Sequence, residues 1–353
     1  LGGNENNAPY NLNFDVIERH SYASDGDSVD VGDLTNVKLG IASSWKSMTH
    51  GYAAGGYAHY NNPGGGPGGI TNARYNVIEK FSFASSSNGV DTADLTATWT
   101  YGGGCSSANN CYIAGGNSPV GTRTDTMNKF VKATEVNATD IGNLIIPTGA
   151  PFASSSTDHG YLAGGTDQPQ PAQTDTIQRF SFATDGGSTD VGDLNTATWA
   201  GAAGSSLTHG YIACGYNHPA TNSARLEKYA FASSSNATQI GTMTMGRGNE
   251  TLGGTSSTTH GYAMGGMNPP PSSTQNVIDK YSFVTDGNGT DVGDLTIGRA
   301  IWSHSASSGT YCYQHGGEAG GNSYRVVIDK FSVTADANAT DVGDLALGLK
   351  SGS

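Results

Sequence analysis

The stretch Val77-Ile78-Glu79-Lys80-Phe81-Ser82-Phe83, followed shortly by Val90-Asp91-Thr92-Ala93-Asp94-Leu95, decides the fold because close copies of it return along the whole chain. Its second residue, a branched or long apolar one, recurs seven times, roughly every fifty residues, as Ile17, Ile78, Met127, Ile177, Leu226, Ile278 and Ile328. Within each copy apolar and polar residues alternate as in a half-buried strand. A repeat of this length that is rich in short strands predicts a β-propeller, since one blade cannot bury its faces alone.

A second phrase interleaves with the first and supplies two more strands for each repeat. It reads His50-Gly51-Tyr52-Ala53-Ala54-Gly55-Gly56 and returns at His159, His209 and His260, with degenerate copies at Tyr112 and Tyr313. Asp-Gly dipeptides such as Asp286-Gly287, which are favoured in tight hairpins, separate the third strand from the fourth. We therefore expect an all-β, seven-bladed propeller with four antiparallel strands in each blade and no helix.

The two ends of the sequence both look like parts of a blade. Leu1-Gly2-Gly3 is similar to the end of a His-Gly-Tyr copy, and residues 346–353 are similar to the start of a first strand. We expect one blade to be split between the termini. We also expect residues 1–353 to form a single propeller domain within a longer chain.

Composition limits the classes of function. The net charge of −13 disfavours nucleic acids and anionic membranes as partners, since both are normally met by Lys and Arg. No run reaches the roughly 18 apolar residues of a membrane helix, so we expect no membrane insertion. The phosphate-binding, zinc-protease and serine-hydrolase motifs are missing, and we predict neither enzymatic activity nor a cofactor. A glycosidase pair of carboxylates assembled from separate loops stays open as the alternative.

Several residues invite a chemical role that the repeat explains more simply. His50, His159, His209 and His260 occupy equivalent positions in different blades, so they form a wide ring and cannot converge on a metal ion. We interpret them as turn residues and predict no metal site. Asp-rich turns such as 286–291 resemble calcium loops, but they lack the distal Glu.

Two pairings are predicted from spacing. Cys105 and Cys111 lie close across a hairpin, which predicts a disulfide; two small buried thiols are the alternative. Each third strand carries one Lys or Arg, and most fourth strands carry a carboxylate, such as Lys80 and Asp94. We expect these charges to pair across the sheet.

The whole chain resembles the kelch family. The features that it shares are a Gly-Gly pair ending the second strand, an aromatic pair in the third strand and an Arg or Trp after the fourth, at Trp99, Trp199, Arg247 and Arg299. The sequences of the repeats are similar to those of kelch-like proteins of bacteriophages, particularly marine and cyanobacterial phages. This resemblance implies a non-enzymatic virion protein of the tail, fibre or head surface, acting outside the cell. A secreted carbohydrate-active enzyme on the same architecture and an intracellular kelch adaptor are the alternatives.

The connections between second and third strands differ most from one repeat to the next. All must emerge on one face, and variable loops on a rigid scaffold are the usual place for binding. Their aromatic and amide groups suit a host cell-surface polysaccharide or another virion protein, with plain solvated loops as the alternative. The predicted ligand-binding residues are Tyr57, His59, Tyr60, Tyr216, Asn217, His218 and Asn268.

Overall fold

The computed structural model describes residues 3–7, 10–60, 71–118, 121–169, 172–218, 221–248, 253–268, 273–300, 305–319 and 323–347. These residues form β-strands and turns, with no helix among them. In the described part of the chain, then, there is no helix long and apolar enough to cross a membrane.

Six four-stranded antiparallel sheets make six blades, each with its strands in chain order from the inside outwards. Blade one contains β5 (Ser43–Lys46), β6 (His50–Ala54), β9 (Val77–Ser82) and β10 (Val90–Asp94). Blade two contains β11 (Gly103–Ser106), β12 (Asn110–Ala114), β13 (Thr126–Val131) and β14 (Thr139–Asn143). Blade three contains β15 (Phe152–Ser155), β16 (His159–Ala163), β17 (Thr176–Ser181) and β18 (Thr189–Asp193).

The remaining blades repeat this arrangement. Blade four contains β19 (Ala202–Ser205), β20 (His209–Ala213), β23 (Arg225–Ala230) and β24 (Thr238–Thr242). Blade five contains β25 (Gly253–Ser256), β26 (His260–Met264), β29 (Val277–Ser282) and β30 (Thr290–Asp294). Blade six contains β31 (Ser305–Ser307), β32 (Tyr311–His315), β35 (Val327–Ser332) and β36 (Thr340–Asp344). The first strands of neighbouring blades contact one another, which places them innermost.

Among the described residues, the seventh repeat is represented by its third and fourth strands, β3 (Val16–Arg19) and β4 (Val29–Asp33), which we call the partial blade. The Ser28 amide donates to Asp344 O of blade six at 2.8 Å, and the Gly89 amide of blade one donates to Asp33 O at 2.7 Å. The partial blade therefore lies between blades six and one.

The all-β propeller is thus confirmed, but seven four-stranded blades is wrong as a count, because the described residues form six. Residues 1, 2 and 348–353, on which part of the predicted split blade falls, lie outside the described residues.

Five short hairpins leave the ring where second strands pass to third strands, and one of them precedes β3. They are β1 (Gly3–Asn7) with β2 (Tyr10–Phe14), β7 (Tyr57–Tyr60) with β8 (Thr71–Arg74), β21 (Tyr216–Asn217) with β22 (Thr221–Asn222), β27 (Met267–Asn268) with β28 (Ser273–Thr274), and β33 (Glu318–Ala319) with β34 (Ser323–Tyr324). We call this end of the ring the loop face. The opposite end, where first strands turn into second strands, is the turn face.

The tyrosine of the His-Gly-Tyr phrase joins each blade to the next. Tyr161 is fully buried in blade three; its ring stacks on Phe231 of blade four with centroids 4.7 Å apart, and its hydroxyl donates to Phe231 O at 2.8 Å. Equivalent hydroxyl bonds run from Tyr112 to Phe182 O, from Tyr211 to Phe283 O and from Tyr262 to Val333 O. Aromatic burial with a satisfied hydroxyl is a strong contact, and here it is repeated around the ring.

Glycine in the same phrase is required by packing. A Cβ built on Gly51 would lie 2.2 Å from Cζ of Phe81, the third-strand ring that covers it, and Gly160, Gly210 and Gly261 are covered in the same way. A further glycine, Gly32, follows the β-bulge in the partial blade at a φ of 148°, and a Cβ there would meet the Ser87 backbone at 2.5 Å. Bulge and glycine together let one blade approach the turn of the next closely.

Three blades also contain a buried ion pair between the chain leading into the first strand and the third strand. These are Lys38 with Glu79, Arg247 with Asp279 and Arg299 with Asp329, all with fully buried side chains. Arg247 also donates to Gly265 O at 2.9 Å and to Val277 O at 3.0 Å. These bonds fix the chain that leads into each of these blades at the loop face.

Candidate functional site

The loop face carries all seven predicted ligand-binding residues, and its connections, which together we call the rim, are hydrogen-bonded to one another at three blade boundaries. Asn222 Nδ2 of blade four donates to Met267 O of blade five at 2.9 Å. The His218 amide donates to Oε1 of Gln173, in the connection of blade three, at 3.1 Å. Arg74 Nη1 of blade one reaches Ser118 O of blade two at 3.0 Å. Because neighbouring connections are hydrogen-bonded to one another, these bonds restrict the movement of the rim.

The structure does not bring the predicted residues together at one place. Tyr57, His59 and Tyr60 lie in β7 of blade one, whereas Tyr216 and Asn217 lie in β21 of blade four, three blades further around the ring. The side chains of His59 and Tyr60 are outside the described residues. A ligand would have to span the face to contact both groups.

Two of the predicted aromatic residues brace the framework. Tyr57 is half-buried, with its hydroxyl 3.0 Å from the Tyr101 hydroxyl. The Tyr216 ring is half-buried and meets Trp199 edge-on at a centroid distance of 6.4 Å. Each of these rings thus rests on the strand connection beside it, and its role in ligand binding stays a prediction.

Four of the predicted residues lie on two adjacent blades, blades four and five. We define the rim patch as Tyr216, Asn217, His218 and Asn268. His218 is exposed, whereas Asn217 and Asn268 are half-buried. Asn217 Oδ1 is buried, and no described residue donates a hydrogen bond to it. His218 is therefore the most exposed member of the rim patch.

The turn face contains a central cavity that the sequence did not predict. Its volume is about 690 Å³, and its walls come from the ends of first strands and from residues just after two third strands. Among them are Tyr22 beside the partial blade, Phe83 of blade one and the exposed Lys46. Lys46 ends the first strand of blade one, where it pairs with Gly51, whereas the first strands of the other five blades end in Ser. This departure from the repeat was a sequence signal for Lys46.

The repeated histidines lie on the turn face in separate blades. The Nδ1 atoms of His50, His209 and His260 lie 2.8–2.9 Å from the hydroxyl of the preceding threonine. Burial lowers the pKa of His159, His209 and His260, which favours neutral rings. Among the described residues, no group of three or more His, Cys, Asp or Glu side chains could hold a metal ion.

Cys105 and Cys111 are both free and buried, so the predicted disulfide is wrong. Cys105 pairs with Tyr112, and Cys111 pairs with Ser106. Since neighbouring residues of a strand point to opposite faces, the two thiols lie on opposite sides of blade two. Cys105 Sγ donates to Ser154 O of blade three at 3.3 Å. Burial raises the pKa of Cys105 to about 11 and that of Cys111 to about 12.

The charge pairs also differ from the prediction. Lys80 lies opposite Val90 and Asp94 lies opposite Val77, so these two charges do not meet across the sheet. The lysine instead crosses to the turn of the next blade: Lys80 binds Glu135 at 2.7 Å and Lys129 binds Asp185 at 2.6 Å. Lys228, Lys280 and Lys330 pair with Asp286, Asp336 and Asp25 in the same way. The acidic turns are therefore inter-blade contacts.

Comparison of the chain with protein-family models finds no match. Comparison with curated proteins likewise finds none.

Proposed function

We propose that the protein is a non-enzymatic binding scaffold of a bacteriophage particle, carried on the tail, fibre or head surface and acting outside the cell. Its loop face would contact a host cell-surface polysaccharide or a neighbouring virion protein. The observation that carries the proposal is the division of the molecule into a repetitive interior and a rim whose connections differ in every blade.

The interior supports this proposal because it leaves little freedom between blades. Buried tyrosines, buried ion pairs and inter-blade lysine bridges recur around the ring. A rigid frame keeps the rim in one arrangement, and this lowers the entropy lost when a ligand binds. Recognition of an extended, asymmetric ligand needs a surface that is both fixed and varied.

The rim patch supports a polar ligand. His218 is exposed, and Asn217 and Asn268 are half-buried beside it on the same face. Imidazole and carboxamide groups donate to and accept from hydroxyls without a net positive charge. That chemistry suits a sugar or a polar protein surface in a chain of net charge −13, for which nucleic acid is disfavoured.

The virion location rests on the resemblance of the repeats to phage kelch-like proteins. Mass spectrometry of purified phage particles tests this location. Absence of the chain from every particle fraction would overturn it.

Binding through the rim patch is tested by replacing His218 and Asn268 with Ala together. We expect binding of the purified chain to host cells or to their extracted polysaccharide to weaken at least roughly tenfold, which is about 1.4 kcal/mol. Leu207→Ala is the matched control, because Leu207 is 96% exposed on the opposite face. Binding that survives the double change but is lost with Lys46→Ser would move the site to the central cavity.

A further inference from the structure

The central cavity on the turn face is walled mostly by small side chains. Blades four, five and six each contribute the last three residues of their first strands, residues 203–205, 254–256 and 305–307. All of these are Gly, Ala, Ser or Thr, so they leave a space of about 690 Å³ between the innermost strands. Small-molecule sites usually have volumes of roughly 300–1,000 Å³, so this space can hold a ligand of that size.

Hydroxyl groups of this wall lie at one level of the ring. Ser205, Ser256 and Ser307 end the first strands of three successive blades and occupy equivalent positions in the strand register. Thr255 and Ser305 bring two more hydroxyls to the same wall. Because a hydroxyl can both donate and accept a hydrogen bond, this wall can bond either the hydroxyls or the anionic oxygens of a ligand.

Among the described residues that line the cavity, Lys46 carries the only charge. It ends the first strand of blade one, and its side chain is exposed. No Asp or Glu stands among those lining residues. A positive group in a cleft without opposing carboxylates attracts anions, and in a chain of net charge −13 this makes the cavity a distinct place for them.

Lys46 also differs from the other lysines of the described chain. Five of them form an ion pair with a turn of the following blade: Lys80, Lys129, Lys228, Lys280 and Lys330. Lys38 is buried beside Glu79, and Lys132 donates to Ser107 O at 3.0 Å. Lys46 forms no ion pair or hydrogen bond with any described residue, so its ammonium group can bind a ligand in the cavity without breaking such a contact.

Two aromatic rings border the same cavity. Phe83 of blade one is 43% exposed and Tyr22 beside the partial blade is 50% exposed, and both belong to the cavity wall. The Tyr22 ring stacks on Tyr313 of blade six with 4.9 Å between centroids, which holds it in place. A few polar groups beside aromatic rings are the usual surroundings of a small ligand.

We propose that the central cavity is a binding site for a hydroxylated ligand with one negative charge, a sugar acid of the uronic acid class. Lys46 binds the carboxylate, the hydroxyls of Ser205 and Ser256 bond the hydroxyls of the sugar, and the exposed rings cover its apolar face. One lysine neutralises one charge. A dianion such as a phosphate monoester would keep an uncompensated charge within a chain that is already acidic.

This inference does not depend on the loop-face proposal, because the cavity and the rim patch lie at opposite ends of the ring. The two are separated by variants. His218→Ala together with Asn268→Ala should leave binding in the cavity unchanged, and Lys46→Ser should leave binding through the rim patch unchanged.

The test titrates the unaltered chain with glucuronate and follows the ligand by saturation-transfer NMR. We expect saturable binding that Lys46→Ser weakens at least roughly tenfold, or by about 1.4 kcal/mol. Serine ends the first strands of the other five blades, so this change keeps to the repeat and should preserve the fold. Lys132→Ser is the matched control, because it removes the same charge from a lysine that does not line the cavity.

Three further ligands separate the parts of the proposal. Glucose lacks the charge, acetate lacks the hydroxylated ring, and glucose 6-phosphate carries a second charge, so each should bind at least roughly tenfold more weakly than glucuronate. Equal binding of acetate and glucuronate would mean an adventitious ion only, and would overturn the proposal. The proposal would also fail if glucuronate showed no saturable binding, or if Lys46→Ser weakened its binding no more than Lys132→Ser.

Discussion

The interface between blades three and four and the interface between the partial blade and blade one use the same repeat but differ in what covers the third strand of the following blade. In the first, Tyr161 is buried against Phe231, and its hydroxyl bonds the backbone at 2.8 Å. In the second, Phe83 remains 43% exposed, and Arg19 makes a single long contact with its carbonyl. The difference teaches that cohesion in this ring comes largely from second strands, because they supply the ring and the hydroxyl that cross to the next blade.

The largest expected effect compares a third-strand carboxylate of a complete blade with its counterpart in the partial blade. Asp279→Ala leaves Arg247 charged, fully buried and without its carboxylate, which should cost about 3–5 kcal/mol of unfolding free energy. Glu18→Ala removes the carboxylate at the equivalent position, which accepts from Ser28 Oγ at 2.8 Å and from the Leu347 amide at 3.2 Å. Because Glu18 is only half-buried, its loss should cost about 1.5 kcal/mol.

Guanidinium denaturation of both variants measures this contrast. Asp279→Asn is the control that keeps the size and shape of the side chain and removes its charge. Equal losses in the two alanine variants would show that Asp279 and Glu18 do not differ in burial as described.

The next effect compares the two rings themselves. Phe231→Ala should cost about 3 kcal/mol, because the ring is buried and stacked. Phe83→Ala should cost less than about 1 kcal/mol, since much of that ring already contacts solvent. Thermal melting of the two variants side by side gives the order. If Phe83→Ala is the more damaging, the uncovered interface has been misidentified.

Much of this architecture could be predicted from the sequence, because strand alternation and turn residues are local properties. The seven copies around Ile17 to Ile328 predict the third and fourth strands correctly, and the His-Gly-Tyr phrase predicts the second. Contacts between blades were missed. They depend on how twisted sheets stack, so linear spacing placed Lys80 opposite Asp94 when its partner is Glu135 of the next blade.

A signal for the inter-blade bridges was nevertheless present in the sequence. The third strands with Arg in place of Lys, at Arg19 and Arg179, precede blades whose turns carry serines (85–87 and 233–235) in place of an acidic residue. The site was less predictable. Variable connections correctly pointed to one face, but only the blade order shows that Tyr57 and Tyr216 lie three blades apart. The central cavity is formed mostly by the ends of first strands from different blades, an arrangement that no single motif encodes.

A smaller effect concerns acid stability at a complete interface. The hydrogen bond from Lys80, aided by Tyr52 and Thr92, lowers the pKa of Glu135 below its usual 4.5. A lowered carboxyl pKa stabilises the fold above the unfolded value, and this contribution disappears as the pH falls through the folded value. Glu135→Gln should therefore cost up to about 1 kcal/mol at pH 7. The variant and the parent should converge in acid, as measured by urea denaturation from pH 7 to pH 3. A constant difference over that range would contradict this assignment.

The smallest effect lies at the junction of the partial blade with blade six. Burial lowers the pKa of His20 from 6.5, and its Nδ1 lies 3.2 Å from His315 Nε2 between the rings of Tyr22 and Tyr313. A base with a lowered pKa binds its proton more readily when unfolded, so stability should fall as the pH drops below 6.5. His20→Phe introduces an aromatic ring of the kind found at this position in other blades. It should make the melting temperature less dependent on pH between pH 7 and pH 5. An unchanged slope would rule His20 out as the titrating group.

The inner edge of β3, which pairs with no other described strand, is the feature on which this account depends most, and hydrogen exchange measured amide by amide tests it directly. Glu18 and Gln178 occupy equivalent positions, but Gln178 is paired with Leu162 of the second strand and Glu18 has no such partner among the described residues. We predict that the Glu18 amide of the unaltered chain exchanges at least roughly a hundredfold faster than the Gln178 amide. Equal protection of the two amides would contradict the account, because it would mean that the inner side of β3 is already paired.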